Sequence, residues 1–445
     1  MLSLRYFLSV LKYRKISQLT REQMLELQHK SWLKLLKFVS KKSPYYSEII
    51  KKINLPLNEI KPEHFPILTQ KDIDMHFDQI VTNPQIKLKE LITHAETHTP
   101  EELYLNRYHI LKTSGTTGTP HYFLSETKEV IDSIAPSVAR SSRAKRPKEK
   151  KRICMLGLPN SYCSSNQNLN VTNQLWIAKR FVDYQLIPMD QPIEQVIETL
   201  NNLKPHVISG YAKLLLILAD AKRAGKLKIS PDSLESGGEP LLHTDRKYLK
   251  EVFNCKINNH YGSTEGYSMG VCRDEEDSME LFEDHIIFEI SKNKVYITNL
   301  HNFTMPLIRF QMNDVLVPIS NYTPSPFLRV ECGVGRPEGI SYFTTLKNDQ
   351  ITVQPIEMDP LMPEGVKTFT LLGEKANHVN CNIFIDEKYL SQTESIKSKT
   401  ETILKDFFDK KGLNNILIEV KVEKDYKINP FSLKTQLWKK PTLDT

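Results

Sequence analysis

"HVISGYAKLLLILADAKRAGKLKISPDSLESGGEPLL", His206 to Leu242, runs from a short apolar segment through a helical stretch to a second short apolar segment. Strand, helix and strand in that order form the unit of a parallel sheet, because strands running the same way need a crossover between them. The rhythm extends outward on both sides, with "ICMLGL" and "IEQVIETLNNL" before it and a helix after Leu242, so residues 153 to 260 read as a mostly parallel sheet flanked by helices. From "HIIFEI" through "KVYITNL" to "PLIRF" the apolar residues alternate with period two, which predicts an antiparallel sheet or small barrel. Beyond "GRPEG" the rhythm resets to "CNIFID", a helix with Ile396, Ile403, Leu404, Phe407 and Phe408 on one face, and "ILIEVKV". The expectation is an α/β protein with a large domain over residues 1–335 and a small, mobile α+β domain over 336–445, joined near Gly335 to Gly339 where glycine and proline supply a hinge.

Composition narrows the function classes. At 445 residues, 40% hydrophobic and 25% charged, the chain can bury a large core and is too long for one ordinary domain. Cys154, Cys163, Cys255, Cys272, Cys332 and Cys381 include no CxxC pair, which fits reduced thiols in a cytoplasmic protein better than a disulfide framework. No apolar run approaches the ~18 residues of a membrane span. The opening "MLSLRYFLSVLKYRK" carries Arg5 inside its apolar stretch, unlike a signal peptide. It reads as a packing first helix, with a basic amphipathic helix lying on a membrane surface as the alternative. The net charge is +7, and "RSSRAKRPKEKKR" from Arg140 to Arg152 sets eight bases against one acid. No aromatic residue is interleaved there to stack on bases, so nucleic acid is not an expected partner. The stretch reads as a solvated segment, with docking of an anionic partner as the alternative.

"LKTSGTTGTP", Leu111 to Pro120, is either a mobile polar loop or a loop that wraps an oligophosphate. A Walker A loop needs GxxxxGK[ST], and Gly115 and Gly118 are too close together with no lysine after them. Successive amides can still form a nest for phosphate, with hydroxyls from Ser114, Thr116 and Thr117 as further donors.

With its neighbours, this loop resembles the phosphate loop of the adenylate-forming superfamily of acyl-CoA synthetases. "SGGEPL" (Ser236 to Leu241) resembles the adenine-site turn, "YGSTEG" (Tyr261 to Gly266) the aromatic-plus-acid motif, and "PLIRFQMNDV" (Pro306 to Val315) the segment whose aspartate holds the ribose. "SPYYSEII" and "FPILTQKDI" are similar to the phenylacetate-CoA ligase branch and its CapK-like relatives. Each motif alone is weak; their shared order is the signal. The resemblance implies ATP and Mg2+ as cofactors, a carboxylic acid as substrate, and CoA or an amine as acceptor. It implies that Thr113, Ser114, Gly115, Thr116, Thr117 and Gly118 cradle phosphate, and that Gly238, Glu239 and Pro240 border adenine. Tyr261 would stack on it with Gly262 beside it in the nucleotide site, Thr264 would bond the α-phosphate, Glu265 would ligate Mg2+, and Asp314 would accept from the ribose hydroxyls. Arg309 would neutralise phosphate or hold Asp314, with an internal ion pair as the plain alternative. Lys434 in "NPFSLKTQLW" matches the small-domain catalytic lysine, with Lys427 as fallback; Arg336 of "GRPEG" joins the hinge and the nucleotide-binding set.

The chain departs from the family in three places. Thr119 replaces a lysine common in the phosphate loop, Glu338 and Gly339 replace paired hinge aspartates, and Val334 stands where a cysteine would complete a CxC pair with Cys332. Cys272 and Cys332 are two candidate sulfurs, short of a four-ligand zinc site. The implied reaction is AMP-forming ligation of a carboxylic acid to CoA or an amine, in a polysaccharide or natural-product context. The alternative is an inactive adenine-nucleotide-binding scaffold that docks anionic partners. The acyl pocket is expected near "GLPNSY", "SGY" and "SGGE", and a homodimer is open.

Overall fold

The computed structural model describes residues 1–113, 120–141, 149–291, 294–319, 325–332, 341–344, 350–353, 355–375, 378–426 and 438–439. The amino-terminal helices are α1 (Leu2–Ile16), α2 (Arg21–Lys42), α3 (Pro44–Ile53), α4 (Gln70–Ile80) and α5 (Leu88–Thr97). Their starts are written locally: Thr20 and Gln23 form a capping box on α2, Ser43 caps α3 with Pro44 in its first turn, and Thr69 and Asp72 form the box on α4. Ser3, Val10, Tyr13 and Ile16 of α1 are buried, so the first helix packs as expected. The hairpin β1 (Tyr108–Lys112) and β2 (Tyr122–Glu126) leads into α6 (Thr127–Ser141).

The alternating segment then unfolds as β3 (Lys151–Gly157), α7 (Ser164–Gln174), α8 (Trp176–Phe181), β4 (Val182–Pro188), α9 (Ile193–Leu203), β5 (Val207–Gly210), α10 (Ala212–Arg223), β6 (Ser233–Gly237), α11 (His243–Phe253) and β7 (Lys256–Ser263). Strands β8 (Tyr267–Cys272), β9 (Ser278–Leu281), β10 (Ile286–Ser291), β11 (Lys294–Asn299), β12 (Phe310–Met312) and β13 (Arg329–Glu331) follow. The main sheet has the order β13-β9-β8-β7-β6-β5-β3-β4, parallel from β4 to β7 and antiparallel beyond. Its two faces differ. Cys154, Leu156, Ile208, Leu234 and Ile257 join α9, α10 and α11 in an apolar core, and the intervening residues of the same strands face the other way. Strands β10, β11 and β12 make the expected antiparallel sheet.

The carboxyl-terminal part holds β14 (Ser341–Thr344), β15 (Gln350–Val353), α12 (Pro355–Met358), β16 (Val366–Lys375), β17 (His378–Ile385), α13 (Thr393–Lys410), β18 (Leu417–Val422) and β19 (Trp438–Lys439), with a sheet ordered β18-β17-β16-β19. Ile396, Leu404 and Phe408 of α13 enter its core, which also receives Leu242 from the larger part. Charges dominate the contact between the two parts. Lys367 donates to Asp220 at 2.8 Å, Arg223 to Asp386 at 3.0 Å, and Tyr426 to Asp220 at 3.0 Å. Buried Lys213 pairs with Asp245 at 2.9 Å and donates to Thr368. Asp359 accepts from the Thr244 amide at 3.1 Å and its hydroxyl at 2.8 Å, capping α11 across the boundary.

Two expectations need correction. Cys272, ending β8, and Cys332, just after β13, form a disulfide with Cα atoms 6.0 Å apart, where six reduced thiols were expected. The sheet order lays β9 between those strands, so residues 60 apart in sequence meet. Arg140, at the head of the basic stretch, is buried rather than solvated: it donates to Asp284 at 2.6 Å and lies over the Phe327 and Phe282 rings. Lys151 and Arg152 belong to β3, where Lys151 pairs with Asp232 at 2.7 Å; positions 142–148 lie outside the described residues. No described helix is long and apolar enough to cross a membrane.

Candidate active site

A cavity of about 2240 Å³ opens over the face of the main sheet turned away from α9, α10 and α11. The strand-end turns meet there. Gly238 adopts φ +80°, and a Cβ on it would fall 2.5 Å from the Tyr211 ring, so this turn demands glycine twice over. A Cβ on Gly262 would fall 2.5 Å from the Tyr267 carbonyl, at the bulge between β7 and β8. Glu239 accepts from the Lys213 amide at 2.8 Å, fastening the turn to the start of α10. Gly238, Tyr261, Gly262, Thr264, Glu265 and Asp314 line the cavity, whereas Glu239 and Pro240 do not.

The Tyr261 hydroxyl donates to Asp314 Oδ2 at 2.8 Å, uniting two separately quoted motifs. The turn carrying Thr264 and Glu265 is held by Ser263 Oγ, which accepts from the Gly266 amide at 3.0 Å, and by Asn299 Nδ2, which donates to the Glu265 carbonyl at 3.3 Å. On the facing side, Thr113 donates its amide to His121 O and accepts the His121 amide, both at 3.0 Å. The ends of the β1–β2 connection, Thr113 and Pro120, therefore both reach the cavity wall. Ser114, Gly115, Thr116, Thr117, Gly118, Arg336, Lys427 and Lys434 lie outside the described residues.

Arg309 is placed otherwise than in the phosphate role. Its Nε donates to Glu289 at 2.9 Å and its Nη1 to the Phe65 carbonyl at 3.0 Å, and it is absent from the cavity wall. It ties β12 to β10 and to the segment before α4, the internal ion pair that was the plain alternative.

Several cavity residues had no place in the sequence reading. Glu235 on β6 and His260 on β7 meet at 2.7 Å, with Ser233 and Asn258 donating to the other Glu235 oxygen at 2.7 and 3.0 Å. Burial pushes the Glu235 carboxyl up, but the hydrogen bonds and charge of these neighbours outweigh it and hold it below the usual glutamate value. Lys112, the single base of the glycine loop, and Lys71 of "FPILTQKDI" also line the cavity and bring positive charge to it. The available signal was period two: Ser233 and Glu235 share one face of β6, as Asn258 and His260 share one of β7. The three segments expected to form the acyl pocket all reach this wall, through Gly157 to Tyr162, Ser209 to Tyr211 and Ser236 to Gly238. Among the described residues no cluster of three or more His, Cys, Asp and Glu is arranged to hold a metal, and Cys272 and Cys332 bond to each other.

No family model matches the chain. Protein CapK of Staphylococcus aureus is 24% identical over 335 residues, covering 73% of this chain and 70% of its own length. Phenylacetate-coenzyme A ligase of Thermus thermophilus is 24% identical over 322 residues, covering 68% of this chain and 67% of its own. In three dimensions the chain is similar to 2-hydroxyisobutyryl-CoA ligase in the postadenylation state in complex with R3-HIB-AMP, at a TM-score of 0.69 and 13% identity over 93% of this chain and 88% of that one. The chain therefore has the fold of that CoA ligase. By sequence the chain is similar to the phenylacetate-CoA ligase and CapK proteins.

Proposed function

We propose that the chain is an ATP-dependent, AMP-forming carboxylate ligase that forms an acyl-adenylate, releases pyrophosphate and passes the acyl group to CoA or an amine. The observation that carries this reading is the Tyr261–Asp314 pair on the wall of a cavity that Thr264 and Glu265 share. The Tyr261 ring stacks on adenine while Asp314 accepts from the ribose hydroxyls. Gly237 and Gly238 admit the purine edge. The carboxylate oxygen of the acid attacks the α-phosphorus, the bond from that phosphorus to the bridging oxygen breaks, and pyrophosphate leaves with the electron pair. Thr264 donates to the α-phosphate, and the 114–119 loop with Lys112 holds the departing charge. Positioned donors of this kind supply most of the rate, and no protein nucleophile is required.

Glu265 is the residue to hold magnesium. Glu265 and Thr264, neighbours in sequence, both line the cavity, a carboxylate and a hydroxyl of the hard-oxygen kind that Mg2+ prefers. When bound, the ion neutralises phosphate charge. The cavity exceeds the roughly 300–1,000 Å³ of an ordinary ligand pocket, leaving room for an acid between the Glu235–His260 strip and the apolar side chains of α1, α6 and α8. We assign residues 336–445 as the lid that brings Lys434 to the α-phosphate and swings away for transfer.

The test is exchange of labelled pyrophosphate into ATP across a panel of carboxylic acids, then mass spectrometry of products with CoA, amines and amino sugars. An acid-dependent exchange is expected. Tight ATP binding with no exchange for any acid would favour the scaffold alternative.

A further inference from the structure

Helix α1 has two apolar faces, and packing uses one of them. Ser3, Val10, Tyr13 and Ile16 turn inward, whereas Leu4, Phe7, Leu8 and Leu11 are 57%, 44%, 54% and 38% exposed. At about 100° per residue these four share one outward stripe, with Lys12 on one flank, Arg14 on the other and Lys15 a turn beyond Leu11. Helix α8 lies against α1, begins at Trp176, which at 70% is the most exposed large apolar side chain after Met1 among the described residues, and carries exposed Lys179 and Arg180 in its last turn. Neither helix contains an acidic residue, and none of these five bases pairs with a carboxylate of the described residues.

We propose that α1 and α8 form a docking face for an anionic bilayer surface. Leucines, a phenylalanine and a tryptophan turned to solvent and rimmed by lysine and arginine are the chemistry that inserts at a lipid headgroup boundary. The absence of acids makes the charge complementary to anionic lipid over the whole face. A partner helix would bury the apolar stripe equally well, but it would not require a rim of one sign. Phe7, Leu11 and Arg14 of α1 and Ile177 and Phe181 of α8 also line the cavity, so docking sets one cavity wall against the lipid.

The test is flotation of the purified full chain with vesicles containing phosphatidylglycerol or phosphatidylcholine alone, at low and high salt. It reads binding and is independent of the ligase activity. Binding to the anionic vesicles, weakened by salt, is expected. Leu4→Gln/Leu8→Gln/Trp176→Gln should abolish flotation, and Lys12→Gln/Lys15→Gln/Lys179→Gln should weaken it about a hundredfold, from roughly fivefold per charge. All six positions lie off the cavity wall, so pyrophosphate exchange in solution and the melting temperature should be unchanged. Failure of the wild-type chain to float, or equal flotation with both vesicles at both salts, would overturn the proposal. So would a dimer by light scattering that the Leu4/Leu8/Trp176 variant dissolves without any vesicle binding, which would assign the face to a second copy.

Discussion

The Tyr261 hydroxyl donates to the Asp314 carboxylate at 2.8 Å across 53 positions of sequence. This bond fixes the plane of the ring and the direction of the carboxylate together, so the two groups proposed to hold adenine and ribose are set before nucleotide arrives. Tyr261→Phe keeps the stacking surface and loses the bond. A net hydrogen bond of about 1 kcal/mol predicts a KM for ATP raised about fivefold with little change in kcat. Asp314→Asn should cost more, because the amide places a donor where the ribose hydroxyls donate. Steady-state exchange kinetics against ATP concentration check both.

Glu265 and Lys434 are the residues proposed to act on the phosphates, and Lys434 is the one proposed to serve adenylation alone. Glu265→Gln and Lys434→Ala should each depress pyrophosphate exchange on the order of 10²–10³-fold, the usual cost of one positioned charge. Transfer from a supplied acyl-adenylate should survive in Lys434→Ala. Equal losses in both half-reactions would point to damage in the carboxyl-terminal part, and a silent Lys434→Ala beside an inactive Lys427→Ala would move the role to Lys427.

His285 and His301 stack with ring centroids 4.4 Å apart, and Tyr13 of α1 lies within 3.4 Å of a nitrogen of each. Burial, aided by neighbouring positive charge, pushes His301 down to about 4 and His285 well below the usual histidine value. Both are neutral in the folded chain and take up protons on unfolding near pH 6.5. Their stabilisation is complete above that pH and is lost as pH falls from 6.5 towards 4, at about 1.4 kcal/mol per pH unit for each histidine. Urea unfolding at stepped pH should show this slope, and His301→Gln should flatten it.

The Cys272–Cys332 bond closes a loop with a sequence separation of 60. Chain-entropy reasoning assigns such a closure about 4 kcal/mol. Reductant should therefore lower the urea midpoint of the oxidised chain, and Cys332→Ser should unfold at the lower midpoint with or without reductant.

The parallel sheet was legible because its strands and helices differ in length and period, and the resemblance of the motifs was legible through their order. What stayed hidden depends on register. Glu235 and His260 are 25 residues apart and meet only because β6 and β7 pair Gly237 with His260. Cys272 and Cys332 needed the position of β9. Arg309 follows a strand-like run in a motif shared with Asp314, yet its partner Glu289 comes from β10, two strands away in the small sheet. A linear reading contains both acids and no rule for choosing between them.

The seam along α10 and α11 has a consequence for how the molecule comes apart. The Lys367–Asp220 and Arg223–Asp386 pairs each join a buried side chain to a part-exposed one, at 8%/31% and 26%/5%, so solvent reaches one member of each pair without breaking it. Leu242, the Lys213 bond to Thr368 and the Thr244 bonds to Asp359 are buried, and all three sit at the amino-terminal ends of α10 and α11 rather than along the whole contact. Such a seam behaves as a clasp with a dry pivot and a wettable rim. The carboxyl-terminal part can loosen at its edge while its register on the larger part is remembered.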